Sequence, residues 1–170
     1  SSDENRLYAA ETYPDLHPEF IFWRAAYNVR STEINAVIGR NQLERLDANV
    51  AARSVNLRTF LAALDPQRYR TRYRLEGSSN YALPLVLQEP DAGLIQRALS
   101  CLRENEVEYR RGTAGGGNQL RQPYLRKLAL AQPEDFPQAE HVHFYGLYLG
   151  NYPGLDQSMI LELCEKLNRL

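Results

Sequence analysis

A polar turn that runs straight into a long helical repeat, Tyr27 to Leu64, constrains this chain more than any other feature. Ser31 and Thr32 can accept hydrogen bonds from the open N–H groups of a helix start, and Glu33 puts negative charge at the positive end of the dipole. From there Ala36, Gly39, Leu43, Leu46, Val50, Arg53, Leu57, Phe60 and Leu64 recur at steps of three and four, one stripe broken only by Arg53. Ala36 and Gly39 are small enough to let a second backbone approach, while Leu43 onward supplies core bulk. Unbroken from Thr32 to Leu64, the helix would span roughly 50 Å at about 1.5 Å per residue. Few small domains are that wide, so it either kinks or reaches out. A break is expected near Asp47, Ala48 and Asn49, because Asp and Asn side chains compete for the backbone.

With 170 residues, 44% of them hydrophobic, the chain can bury one sizeable core. The expected organisation is an arm or linker over residues 1–26 and one domain over 27–170. A net charge of -1 argues against a general polyanion binder, though not against a local basic patch. Cys101 and Cys164 lack metal or disulfide spacing and fit a reducing cytoplasm. The longest apolar run, Tyr81 to Leu87, is far short of the roughly 20 residues of a membrane helix, so a soluble protein is expected.

The first 18 residues are polar, with Pro14 and Pro18 limiting regular structure, and Phe20 to Trp23 read as a strand or a plug. After Pro66, Arg68, Arg70, Arg72 and Arg74 alternate with Tyr69, Thr71 and Tyr73 at strand period. Tyr81 to Leu87 reads as a second strand, interrupted at Pro84, which suggests an edge position or a bulge. Asp91 to Glu104 carries Leu94, Ile95, Ala98, Leu99 and Leu102 at helical spacing. Val107 to Arg111 and Leu147 to Tyr152 read as strands, and Gln138 to Phe144 and Leu155 to Leu170 as helices. The last is expected to bury Ile160, Leu161, Leu163, Cys164 and Leu167. Helices mixed with short strands predict an α+β fold, a small, mainly antiparallel sheet packed against helices and opened by one long helix.

Candidate chemistry is sparse. Asn28 and Arg30 flank the turn before the long helix, where N–H groups and a cation can hold a phosphate or carboxylate; a side-chain cap with a surface ion pair explains them equally well. The loop Gly112 to Gly117 lacks a P-loop ending and by itself reads as a flexible connection. His141 and His143 fall on different faces of a helix, no third metal ligand is spaced with them, and packing or surface roles are expected. No GxSxG motif occurs. The arginine ladder with Tyr69 and Tyr73 is the one feature that would suit nucleic acid, but it equally suits a solvated, charge-protected edge, and nothing elsewhere adds basic surface.

The stretch Tyr-Asn-x-Arg, then Ser/Thr-Glu-Ile-x-Ala, an apolar pair, Gly and Gln-Leu-x-x-Leu resembles the opening of the C-terminal domain of the DegT-type vitamin B6-dependent nucleotide-sugar aminotransferases and dehydrases. Ala26, Ser31 and Val37 depart from the usual pattern; Asn28 and Arg30 keep it. Gly-Gly-Asn-x-x-Arg-Gln-Pro at Gly116 to Pro123 and YLGNYPGL at Tyr148 to Leu155 resemble the 3-dehydrase branch, which acts on 4-keto-6-deoxy sugars. The resemblance covers Tyr27 to Leu170. It implies the small domain of a fold type I enzyme, with Asn28 reaching the cofactor phosphate across a dimer interface. It further implies Arg30, Asn118 and Arg121 as substrate contacts, and pyridoxal or pyridoxamine phosphate as the cofactor of a longer parent.

The only lysines, Lys127 and Lys166, do not sit in matching contexts for a Schiff base. The chain is therefore expected to be catalytically incomplete and to hold no cofactor alone. The missing large domain, a homodimer contact through Ala36 to Leu46 and a nucleotide-sugar substrate are the expected partners, with neither membrane nor nucleic acid among them. The alternative is a stand-alone module that binds a sugar nucleotide, a protein or nucleic acid.

Overall fold

Thr32 starts a helix as its side chain demands. Its Oγ1 accepts the Asn35 N–H at 3.3 Å, and α2 runs Glu33–Leu43. The helical stripe then breaks at Glu44 and Arg45 rather than at Asp47 to Asn49, and resumes as α3, Leu46–Ala63. At the break the Arg45 N–H donates to the Gln42 carbonyl at 3.1 Å, a tight turn, while Asn41 Oδ1 accepts from the Arg45 guanidinium at 2.6 Å. Asp47 lands in the first turn of α3, where its charge meets the positive end of the new helix, which places the break upstream of it.

The computed structural model describes residues 3–17, 20–22, 32–111, 117–128 and 131–170, with side chains from residue 8 onward. The chain divides into two compact units, one made of Ser1–Ala26 and Tyr109–Tyr148, the other of Tyr27–Glu108 and Leu149–Leu170.

The second unit holds α2, α3, β1 (Ala82–Val86), α4 (Ala92–Glu104) and α7 (Gln157–Asn168). Element names count in chain order. Its core is apolar. Leu57, Phe60 and Leu64 of the long stripe are buried with Leu83, Leu85, Leu99, Leu102, Ile160, Cys164 and Leu167, whereas the α2 half of the stripe has no buried residue. Asn168 closes α3 by donating to the Ala63 carbonyl at 2.8 Å and accepting the Asp65 N–H at 2.8 Å. The expected α4 stripe is buried at Leu94, Ile95, Ala98, Leu99 and Leu102, and the Asp91 side chain caps the helix by accepting the Leu94 N–H. In α7 Leu161 is exposed rather than buried, because it lies off the Ile160–Cys164–Leu167 face. The arginine ladder does not form a strand. Only Tyr69 pairs with Leu87, since the buried Tyr69 hydroxyl donates to the Leu167 carbonyl at 2.9 Å and holds the chain against α7.

The first unit contains α1 (Asp3–Thr12), β2 (Tyr109–Arg111), α5 (Pro123–Arg126) and α6 (Pro137–Tyr145). The opening residues thus form a helix where none was expected; both prolines lie beyond its end and do not oppose it. Strand β3 is Gly146–Gly150, and the strand order is β1-β3-β2, with Pro84 on an edge strand. The Asn151 N–H donates to the Tyr81 carbonyl at 2.9 Å, pairing the end of β3 with the start of β1 as antiparallel strands require. This is the α+β class expected.

The end of α4 carries a backbone cost. Glu106 has φ of 56°, and its N–H bonds the Arg103 carbonyl while Val107 N–H bonds that of Leu102, the two hydrogen bonds of a left-handed helix stop. Glycine adopts that conformation without the Cβ penalty. Glu106→Gly is expected to raise the unfolding free energy by about 1 kcal/mol; urea denaturation checks it, and a loss of stability would count against the strain.

Candidate functional site

Within the first unit, Asn118, Arg121, Glu140, His143 and Asp15 form one polar cluster. Its geometry begins at Gly117, whose φ of 71° turns the chain so that a Cβ there would stand 2.1 Å from Nδ1 of His143. No other residue fits. Asn118 follows, buried, and its Oδ1 accepts the Leu120 N–H at 3.1 Å to cap the single turn of 3-10 helix Gln119–Arg121. That turn projects Arg121 onto α6.

The Arg121 fork is filled by carboxylates. Nε donates to both oxygens of Glu140 at 2.9 and 3.1 Å and Nη2 donates to Glu140 as well, while Nη1 reaches Asp15 at 3.0 Å and Nη2 reaches the exposed Glu134 at 3.3 Å. The guanidinium also lies over the Phe144 ring at 5.0 Å. Asn118 Nδ2 adds a bond to Glu140 Oε1 at 2.7 Å. Glu140 therefore receives donors from two sides. Its carboxyl is held below the usual range, first by the Arg121 hydrogen bonds and then by Asn118, and Arg121 is held above its ordinary value, first by Glu140. With side chains only 16% exposed, the pair is worth more than a surface salt bridge.

His143 has both nitrogens engaged. Nδ1 accepts the Asn118 N–H at 3.0 Å, so the proton is on Nε2, which donates to the Asp15 carbonyl at 2.6 Å. Burial holds its pKa below the ordinary value of 6.5. Asp15 completes the cluster by accepting from Arg126 also, whose guanidinium lies over Tyr13 at 5.3 Å. Beside it Gln122, fully buried, donates to the Phe20 carbonyl at 2.6 Å and accepts the Phe22 N–H at 2.9 Å, a side-chain amide standing in for a neighbouring strand.

The structure thus brings Asn118 and Arg121 together. Asn28, Arg30 and the Gly112 to Gly116 portion of the glycine loop lie outside the described residues. Sequence reasoning missed Glu140, Asp15 and Gln122, and left His143 as a packing or surface residue. Glu140 and His143 are three apart on α6, a helical spacing that puts them on one face, which was the readable signal. Asp15 carried none. His141 is half-buried, its ring 5.4 Å from that of Tyr145, and among the described residues no group of metal ligands occurs.

The model of the DegT/DnrJ/EryC1/StrS aminotransferase family matches residues 4–168. The chain belongs to this family. No curated protein sequence matches it. Solved structures with the same fold include the GDP-4-keto-6-deoxy-D-mannose-3-dehydratase of E. coli with bound hydrated PLP, at 24% identity and a TM-score of 0.65, covering 88% of this chain and 39% of that one. An aminotransferase from Psychrobacter cryohalolentis is 24% identical with a TM-score of 0.64, over 85% of this chain and 40% of that one. The aminotransferase TlmJ from Streptoalloteichus hindustanus is 19% identical with a TM-score of 0.61, over 98% and 43%. This DegT/DnrJ/EryC1/StrS chain therefore spans about two fifths of the length of the structures it matches.

Two outcomes follow from the cluster. Gly117→Ala is expected to cost about 2 kcal/mol or more, since it adds both a left-handed strain and a clash with the His143 ring; thermal unfolding measures it. The pKa values of His143 and Glu140 are both lowered by folding, so the unfolded chain takes up protons first and acid destabilises. The His143 contribution is complete above 6.5 and declines below it, and that of Glu140 is complete above 4.5 and declines below that. Denaturation between about pH 8 and pH 3 is expected to show both declines, and His143→Gln to abolish the upper one alone.

Proposed function

We propose that this chain is the C-terminal part of a vitamin B6-dependent enzyme acting on a nucleotide-linked keto sugar, by 3-dehydration or amination, in deoxy- or amino-sugar synthesis such as that of lipopolysaccharide. The observation that carries the reading is the family match over 4–168 in a chain two fifths as long as its structural relatives. The large domain, with the lysine or histidine that works beside the cofactor, belongs to the remainder of a longer, cytoplasmic parent. Asn28 supplies the cofactor phosphate contact, and Arg30, Asn118 and Arg121 face the substrate.

The described residues do not themselves fit an aldehyde cofactor. Lys166 Nζ is held by Glu162 at 2.7 Å and Asn105 at 2.6 Å on α7, Lys127 is exposed at the end of α5, and both nitrogens of His143 are taken. Pyridoxal phosphate would supply the electron sink for bond breaking next to the bound carbon. This chain's part is to bind and orient.

Dimer formation through α2 is supported by its unburied apolar side chains, with Ile34 71%, Val37 68% and Leu43 66% exposed. Val37→Asp with Leu43→Asp is expected to turn a dimer into a monomer in sedimentation, and an unchanged dimer would move the interface elsewhere.

Titration with pyridoxal phosphate, followed by the visible absorption band, tests the functional reading. The 170-residue chain is expected to stay colourless and the longer product to take up cofactor, with Asn28→Ala weakening uptake about tenfold. Stoichiometric uptake by the short chain alone would overturn the split site, and no uptake at any length would leave a binding module.

A further inference from the structure

Where α4 stops beside the first turns of α7, the second unit has a concave surface that neither its core nor the proposed function uses. The chain leaves α4 through the left-handed Glu106, with the Val107 N–H on the Leu102 carbonyl at 2.9 Å. Asp156 starts α7 by accepting the Ser158 N–H at 2.8 Å. Between these two ends lies a cavity of about 400 Å³. Its floor is buried core, Phe60, Leu83, Leu149 and Ile160, and its walls are the half-buried Val107, Leu155 and Leu163. Met159 and Tyr152 stand at its mouth, 58% and 53% exposed. Gly150 leaves the end of β3 open there, since a Cβ on it would meet nothing within 4 Å.

We propose that this cleft binds a small apolar molecule that carries one protonated amine. The volume is that of a small-ligand pocket, and apolar side chains make most of the lining. The polar part of the lining fixes the sign of the charge. Glu106 and Glu108 are exposed carboxylates without an ion pair among the described residues, and no Lys, Arg or His lines the cavity. The Asn105 side chain is engaged elsewhere, its Nδ2 donating to the Cys101 carbonyl at 2.7 Å and its Oδ1 accepting from Lys166 Nζ at 2.6 Å. Lys166, which reaches the lining through that bond, is itself paired with Glu162 at 2.7 Å. The Tyr152 ring adds a π face, which attracts a cation and repels an anion. Burial of the apolar body supplies the attraction, and the two carboxylates select the charged head. Neither the Asn118–Arg121 cluster nor the cofactor takes part.

Titration of the 170-residue chain with tryptamine tests it beside tryptophol, which keeps the indole and replaces the amine with a hydroxyl. Saturable shifts of the Val107, Gly150, Leu155 and Met159 amide resonances are expected with both probes. Tryptamine is expected to bind about fivefold more tightly, the worth of an exposed charge pair, and that preference to fade as salt rises. Glu106→Gln with Glu108→Gln is expected to bring tryptamine down to the affinity of tryptophol, whose unchanged binding shows that the variant is folded. Glu89→Gln, outside the lining, is expected to change neither. Absence of saturation, shifts centred elsewhere, or equal affinity of the unmodified chain for the two probes would each overturn the assignment. The same shifts on concentrating the chain without a probe would overturn it in favour of a second copy of this chain in the cleft.

Discussion

The Arg121–Glu140 fork carries the first unit. Around it, among the described residues, buried polar side chains, Asn118, Gln122 and His143, stand beside the buried apolar Ala9, Leu16 and Leu147. Apolar burial among these residues is small. The unit holds because every member of the cluster is matched: Glu140 takes donors from Arg121 and Asn118, His143 bridges Asn118 to Asp15, and Asp15 takes two guanidiniums. A fully matched network defines one geometry, since each displaced member leaves a partner buried and unmatched.

The second unit is built the opposite way. Leu57, Phe60, Leu64, Leu102, Ile160 and Leu167 make an apolar core between α3, α4 and α7, and each buried side chain of this kind contributes about 1.5–3 kcal/mol. Polar side chains serve there as closures. Asn168 ties off α3, and Asn56 donates to Asn151 Oδ1 and to the Tyr152 carbonyl, both at 3.0 Å, joining α3 to the turn after β3. Asn151 passes the bond on to the Arg53 and Asn80 carbonyls, so the motif YLGNYPGL owes its Asn to a buried crosslink. Family motif and structural need coincide at that residue. At Arg121 they coincide too, since the guanidinium that the motif marks is the one that gathers the cluster.

Much of the second unit could be read from the chain. The α4 stripe, the interruption at Pro84 and the Thr32 start are local patterns, because burial of one helix face, a missing N–H or a capping side chain decides them. The same reasoning failed where two local outcomes were close in energy. Whether the helix breaks at Glu44 or three residues later depends on a turn stabilised by Asn41 and Arg45, and whether the arginine ladder pairs as a strand depends on where Tyr69 finds an acceptor.

The sequence by itself determined the family, the α+β class and the identity of the residues to watch, Asn118 and Arg121 among them, because motif spacing and periodicity are properties of the chain alone. The tertiary structure decided what those residues touch. Asp15 and Glu140 stand 106 and 19 positions from Arg121, and nothing in residue order brings two carboxylates so far apart onto one guanidinium. Only the fold closes those loops. Charge pairing is decided by distance in space, which residue order leaves open for every pair beyond the next turn.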